Sequence, residues 1–218
     1  MERPQTALLA GASGLVGGHL LDLLLEGTDP PRVVSLGRRA IPRTHPALTQ
    51  QTVDFANLGG VSLPAADLAF CGLGTTIKRA GSREAFRAVD HDAVVAFATA
   101  ARAAGVRHFL VVTALGADAG SSVFYNRVKG EVENSLKSMG FEALTIAQPS
   151  LLLGDREESR PAEHAAVVVS RALAPVLGWL ASRPIEARDV AKALVRLSTA
   201  PTRGVRVVTN AELHALAR

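Results

Sequence analysis

Tyr125 and Lys129 stand four residues apart in the stretch FYNRVKGEVE. On a helix that spacing puts both side chains on one face, one turn apart. A free tyrosine ionises at a pKa of about 10, too high for ready proton exchange at neutral pH. An ammonium close by favours the phenolate and shifts such a group by roughly 1–3 units. A pair so arranged can pass a proton to or from a carbonyl or alcohol oxygen while a hydride moves at the carbon. Tyr125 is the only tyrosine in the chain. Exposed helical pairs of this kind also arise by chance, so the spacing has to be weighed with its surroundings.

A second group, Gly11-Ala12-Ser13-Gly14-Leu15-Val16-Gly17, lies between a short apolar run and a helical pattern. That is the context a dinucleotide-binding turn requires. The first glycine permits the tight turn, the second lets backbone approach a pyrophosphate, and the third lets the helix pack on the sheet. The start of the following helix, from Leu15 and Val16 on, then offers unsatisfied N–H groups and its positive dipole end to the phosphates. The spacing GxxGxxG is one residue longer than the dehydrogenase form. About twenty residues further on, where an NAD enzyme carries a carboxylate for the ribose 2′-hydroxyl, the chain has Arg38 and Arg39. A carboxylate repels a 2′-phosphate, whereas guanidinium groups form forked, charge-assisted hydrogen bonds to it. The expected cofactor is NADP(H) rather than NAD.

Elements that could position these groups are legible as alternating strands and helices. Strands are expected over 6–11, 32–36, 50–54, 68–73, 109–113 and 143–147. Helices are expected over 15–26, 82–104 and 124–139, with Gly27, Gly105 and Gly140 as stops. Beyond residue 154 come helical stretches over 162–180 and 187–199, a late strand over 205–208 and a short terminal helix. The pattern predicts an α/β, Rossmann-type, doubly wound parallel sheet, one domain over 1–218, with a small C-terminal substrate lobe from about 154. Right-handed crossovers place the loops after strands one, four, five and six at the carboxyl edge, where ligands bind.

Composition narrows the class. The net charge is +4, but the arginines are scattered and aromatic residues make up 4% of the chain, too few for base-stacking platforms. Nucleic acid is not an expected partner. Apolar runs are broken before the length of about 20 residues that a membrane span needs. The lone Cys71 allows no internal disulfide and suits a reducing, cytoplasmic setting. His19, His91 and His108 read as packing or surface residues. His164, beside Glu163, lies in the expected substrate lobe. Trp179 on an apolar stretch suits packing or a homodimer surface.

Taken together, the segments GASGLVGGHL, LGRR, CGLGTT, AFRAVDHDAV, HFLVVTALGADAGSSVFYNRVKGEVE and QPSLLLGDREESRPAE resemble the atypical short-chain dehydrogenase/reductases, in their Tat-interacting-protein-like, NADPH-binding group. The resemblance implies that Tyr125 is the proton donor or acceptor and Lys129 its partner, also within reach of the nicotinamide ribose. It implies Ser13, Gly14 and Leu15 on the pyrophosphate, with Arg38 and Arg39 on the 2′-phosphate. Leu73 and Gly74 would lie along the ribose and nicotinamide path, Pro149, Ser150 and Leu151 beside the nicotinamide, and Arg156 near cofactor or substrate. Asp90 falls where many relatives carry asparagine. The substrate-orienting serine is replaced: the pair here is Thr113-Ala114, so Thr113 would take over its hydrogen bond, with Ser121 or Ser122 as alternatives. Losing such a donor can cost about 10²–10³ in rate. Two functions therefore stand open: an NADPH-dependent reductase of a small carbonyl compound, and an NADPH-binding regulatory or scaffold protein with little or no turnover.

Overall fold

The computed structural model describes residues 6–154 and 182–218. Arg156, Glu163, His164, Trp179 and the expected helix over 162–180 lie outside the described residues.

Among the described residues, seven strands form one sheet in which each neighbouring pair runs parallel. They are β1 (Thr6–Ala10), β2 (Arg32–Gly37), β3 (Leu48–Thr52), β4 (Leu68–Cys71), β5 (His108–Val112), β6 (Ala143–Gln148) and, last in the chain, β9 (Gly204–Thr209). Their spatial order is β3-β2-β1-β4-β5-β6-β9. The chain steps outward from β1 to β3, then returns to β4 and steps outward the other way. Strand order thus reverses beside β1, which opens a crevice at the carboxyl edge between β1 and β4. A separate two-stranded pair, β7 (Leu152–Leu153) and β8 (Ile185–Glu186), lies just beyond that edge.

The central strands are apolar on both faces, as a sheet covered twice must be. On one face Ala7, Leu9, Phe70 and Leu110 meet α1 (Leu15–Leu25), whose buried Val16, Leu20, Leu21 and Leu24 recur at helical spacing. The helix Ala187–Thr199 packs in the same layer. On the other face Leu8, Ala10, Ala69 and Val111 meet the long helical run after β4 and the helix Phe124–Ser138 after β5. Residues 187–216 return to this architecture: β9 pairs with β6, and the terminal helix Asn210–Leu216 packs beside it.

Differences from the sequence expectations have local causes. The third strand starts at Leu48, two residues before the expected 50, because LTQQT is a polar edge strand with no apolar alternation to mark it. Its Gln50 side chain instead ties down the preceding loop through the Ile41 backbone. A short helix, α2 (Ile77–Ala80), precedes the helix expected from residue 82. That helix starts as expected, with Ser82 capping through Ala85 N–H, but it is not uniform. It runs as α3 (Arg83–Arg87), a widened π turn over Ala88–Asp92, and α4 (Ala93–Ala103). The helices after β5, after β8 and after β9 are α5 (Phe124–Ser138), α6 (Ala187–Thr199) and α7 (Asn210–Leu216).

Candidate functional site

The glycine turn is built by contacts between backbones. Gly11 adopts φ 92°, and a Cβ there would lie 2.6 Å from the Gly72 carbonyl on the strand-four loop. A Cβ on Gly17 would lie 2.0 Å from the Gly11 oxygen. Only glycine lets the first turn of α1 sit this close to the two loops. Gly14 caps α1 without a side-chain hydrogen bond, and the first turn holds no acidic residue. The Gly14 N–H is spent on the Gly11 carbonyl at 2.8 Å, so it is the N–H groups from Leu15 on that are left for an external acceptor, with the positive helix end behind them. That arrangement fits a diphosphate.

Around this turn the structure gathers several of the expected residues. Ser13 and Gly14 are exposed at the crevice, while Val16 and Gly17 are buried under it. Leu15 reaches across to Gly154, where a Cβ would meet its side chain at 3.0 Å. Arg38 and Arg39 are exposed at the end of β2, next to β1, and no salt bridge engages either among the described residues. Leu73 and Gly74 follow β4. A Cβ on Gly74 would lie 3.4 Å from Asp90 Oδ1 and 3.8 Å from Lys129 Nζ. The loop after β4 and the tyrosine–lysine helix thus meet at one point.

Lys129 is buried and its Nζ lies 2.7 Å from Asp90 Oδ1, with both side chains almost fully enclosed. The other Asp90 oxygen accepts the Thr75 N–H at 2.8 Å. Asp90 sits inside the π turn, and widened turns of this sort often mark functional positions. Burial alone would pull the Lys129 ammonium down, but the Asp90 carboxylate in contact with it holds its pKa above the ordinary value. The Lys129 Nζ lies 5.9 Å from the centre of the Tyr125 ring, so the pair expected from the i, i+4 spacing is close in space. Tyr125 is half-buried, and its ring leans on Phe86 from α3 at 5.6 Å between centroids. The Cys71 thiol beneath is pushed up to about 12, chiefly by burial, and is neutral.

Thr113 points elsewhere. Its hydroxyl donates to Glu133 Oε1 at 2.7 Å, with the Ala147 carbonyl 3.3 Å away, and the side chain is buried. A hydroxyl has one hydrogen to give. Thr113 would have to release Glu133 before donating to a substrate oxygen. Ser121 Oγ accepts from Val123 N–H at the start of α5, and Ser122 is exposed. The nicotinamide-side loop is held by its backbone: Pro149 O accepts from Leu115 N–H, and Ser150 N–H donates to Asn210 Oδ1 at 3.0 Å. Ser150 Oγ and Asn210 Nδ2 both donate to the Arg183 carbonyl. Leu151 is exposed beside them.

No motif in the sequence marks Glu133 or Asn210, and only the resemblance marks Asp90. A signal existed for Glu133. The core stripe of α5 is Val128, Val132 and Leu136, and Lys129 and Glu133 lie one position along from it, among its buried residues. Charged residues inside an apolar stripe must find partners. Glu133 finds Thr113, Gln148 and, at its rim, Lys137.

A family model described as NAD(P)H-binding matches residues 11–201. The mitochondrial protein fmp52 of Aspergillus clavatus is 37% identical over 165 residues, covering 72% of this chain and 70% of its own. The protein HTATIP2 of Rattus norvegicus is 38% identical over 164 residues, covering 73% of this chain and 67% of its own. Among solved structures, the human epimerase family protein SDR39U1 (isoform 2) with NADPH superposes with a TM-score of 0.63 at 17% identity, covering 98% of this chain and 80% of that one. At that identity the likeness speaks for the fold.

Proposed function

Because this chain belongs to the NAD(P)H-binding, atypical branch of the short-chain dehydrogenase/reductases, we propose that it is an NADP(H)-dependent oxidoreductase that reduces a small carbonyl compound. The observation that carries this reading is the meeting of an uncapped, glycine-built helix start with the Tyr125–Lys129 pair at one edge of the sheet. In the proposal Gly11, Ser13, Gly14, Leu15, Val16 and Gly17 receive the diphosphate, and Arg38 and Arg39 receive the 2′-phosphate. Leu73, Gly74, Pro149, Ser150 and Leu151 line the path to the nicotinamide, and Arg156 remains a candidate contact. The bound dinucleotide would supply a hydride to the carbonyl carbon and leave oxidised. Tyr125 Oη gives the carbonyl oxygen one proton and is reprotonated from solvent. Lys129 holds Tyr125 in place and offers its remaining hydrogens to ribose hydroxyls. A location in the cytoplasm is proposed from the single, buried thiol.

The test is oxidation of NADPH against a panel of aldehydes, ketones and quinones, followed by the near-ultraviolet absorbance of the reduced ring. Wild type should turn over, and Tyr125→Phe should abolish turnover while keeping NADPH affinity. A second reading, an NADPH-binding regulatory protein, is favoured by one observation: the Thr113 hydroxyl is committed to Glu133 and Ala114 has none. Tight NADPH binding without turnover across the panel would select it.

A further inference from the structure

We propose that Asp90 cancels the charge of Lys129 at Tyr125, so that the tyrosine enters the reaction as a neutral phenol and the site is set to give a proton rather than take one. The inference rests on the reading of Tyr125 and Lys129 above and adds Asp90 as the residue that sets its direction.

A lysine beside a tyrosine promotes the phenolate only if its charge is uncompensated, because an opposite charge in contact with it reduces its field to that of a dipole. Here Asp90 Oδ1 is 2.7 Å from Lys129 Nζ, closer than the 5.9 Å from that nitrogen to the Tyr125 ring centre. Both charges are enclosed, so solvent does little to screen either one. Asp90 is also fixed from behind, because its second oxygen accepts the Thr75 N–H at 2.8 Å.

No other group on the described elements restores a net positive field inside. From β4, the Cys71 thiol is neutral. From α3, Arg83 lies over the Phe124 ring at the surface, and Arg87 pairs with Glu131. From α5 itself, Arg127 also lies over Phe124 and donates to the Ser121 carbonyl. From the π turn, His91 is bonded to Asp92 and Ser135. Glu133, a turn beyond Lys129, is engaged with Thr113 and Gln148. The enclosed pair is left to decide the charge that Tyr125 feels.

A phenol is what carbonyl reduction needs, since the substrate oxygen takes a proton. Alcohol oxidation needs the phenolate, since a proton must be removed. The Asp90 carboxylate thus biases the site toward reduction.

Tyr125 is the only tyrosine, so tyrosinate absorbance reports its ionisation without ligand, substrate or turnover. We would titrate the ligand-free full chain as wild type, Asp90→Asn, and the double variant Asp90→Asn/Lys129→Met. Asp90→Asn leaves the ammonium uncompensated and should lower the tyrosinate midpoint by about one pH unit or more. The double variant removes both charges together and should titrate within about half a unit of wild type. If Asp90→Asn fails to fold, the comparison of double variant with wild type decides alone. The proposal is overturned if Asp90→Asn titrates like wild type. It is equally overturned if the double variant titrates about a unit or more above wild type, which would mean that Lys129 acts on Tyr125 uncompensated. Failure of NADPH to bind would sink the oxidoreductase reading but leave this titration readable, so the two failures are distinct.

Discussion

Gly17 and Gly18 are neighbours in the first turns of α1, and replacing each by alanine should move stability in opposite directions. A Cβ on Gly17 would lie 2.0 Å from the Gly11 oxygen and 2.6 Å from its carbonyl carbon. Non-bonded heavy atoms settle at roughly 3.5 Å, so helix and turn must part by more than about 1 Å. Both partners are backbone, and no rotamer change relieves the clash. Overpacking of this kind costs about 1–3 kcal/mol. A Cβ on Gly18 meets only the Ala12 oxygen, at 3.5 Å, an ordinary contact. There the alanine gains the helix propensity that glycine lacks, up to about 1 kcal/mol. Urea unfolding should therefore place Gly18→Ala at or above wild type and Gly17→Ala below it, separated by about 1–4 kcal/mol. The same displacement carries the early N–H groups away from the diphosphate, so a fluorescence titration with NADPH should show Gly17→Ala weakened at least about tenfold, or 1.4 kcal/mol. Gly18→Ala should bind as wild type. If Gly17→Ala were as stable as wild type and bound NADPH unchanged, the close approach that builds the turn would be refuted.

Three further outcomes follow from the same geometry. His108 is buried with Nε2 on Thr145 Oγ1, and burial lowers its pKa from 6.5 to about 4. Its folded-state pKa is depressed, so the unfolded chain takes up the proton first as pH falls. Stability is full above about pH 6.5 and declines towards pH 4; between pH 7 and pH 5 the loss should be about 2 kcal/mol by urea midpoints, and His108→Asn should lose that slope. Asp90→Ala leaves the Lys129 ammonium enclosed without its partner and should cost about 3–5 kcal/mol, most of it recovered in Asp90→Ala/Lys129→Met. Glu133→Ala strips the acceptor from Thr113 and Gln148 and should destabilise by about 1–3 kcal/mol, read from urea midpoints.

What the sequence made legible was local. The glycine turn, the start of the long helix at Ser82 and the Tyr125–Lys129 spacing each obey a rule confined to a few neighbouring residues. The parallel sheet was legible too, because doubly buried strands carry unbroken apolar runs such as the FLVV of β5. The π turn was not, since its widening changes no residue pattern that a helical period can detect. Nor was the Asp90–Lys129 pair, whose partners come from different helices and meet only after the sheet has set their positions. The destination of the Thr113 hydroxyl was equally hidden: it depends on Glu133, which lies among the buried residues of α5. Residues that satisfy one another across elements are visible only once the fold places them.

The proposed chemistry depends on a dinucleotide at the start of α1 with its 2′-phosphate on the Arg38–Arg39 side. Calorimetric titration of wild type and of Arg38→Ala/Arg39→Ala with NADPH and with NADH measures this directly. Wild type should prefer NADPH by about tenfold or more, and the double variant should lose that preference while keeping its affinity for NADH. Preference for NADH in wild type, or an NADPH affinity untouched by removing both arginines, would contradict it.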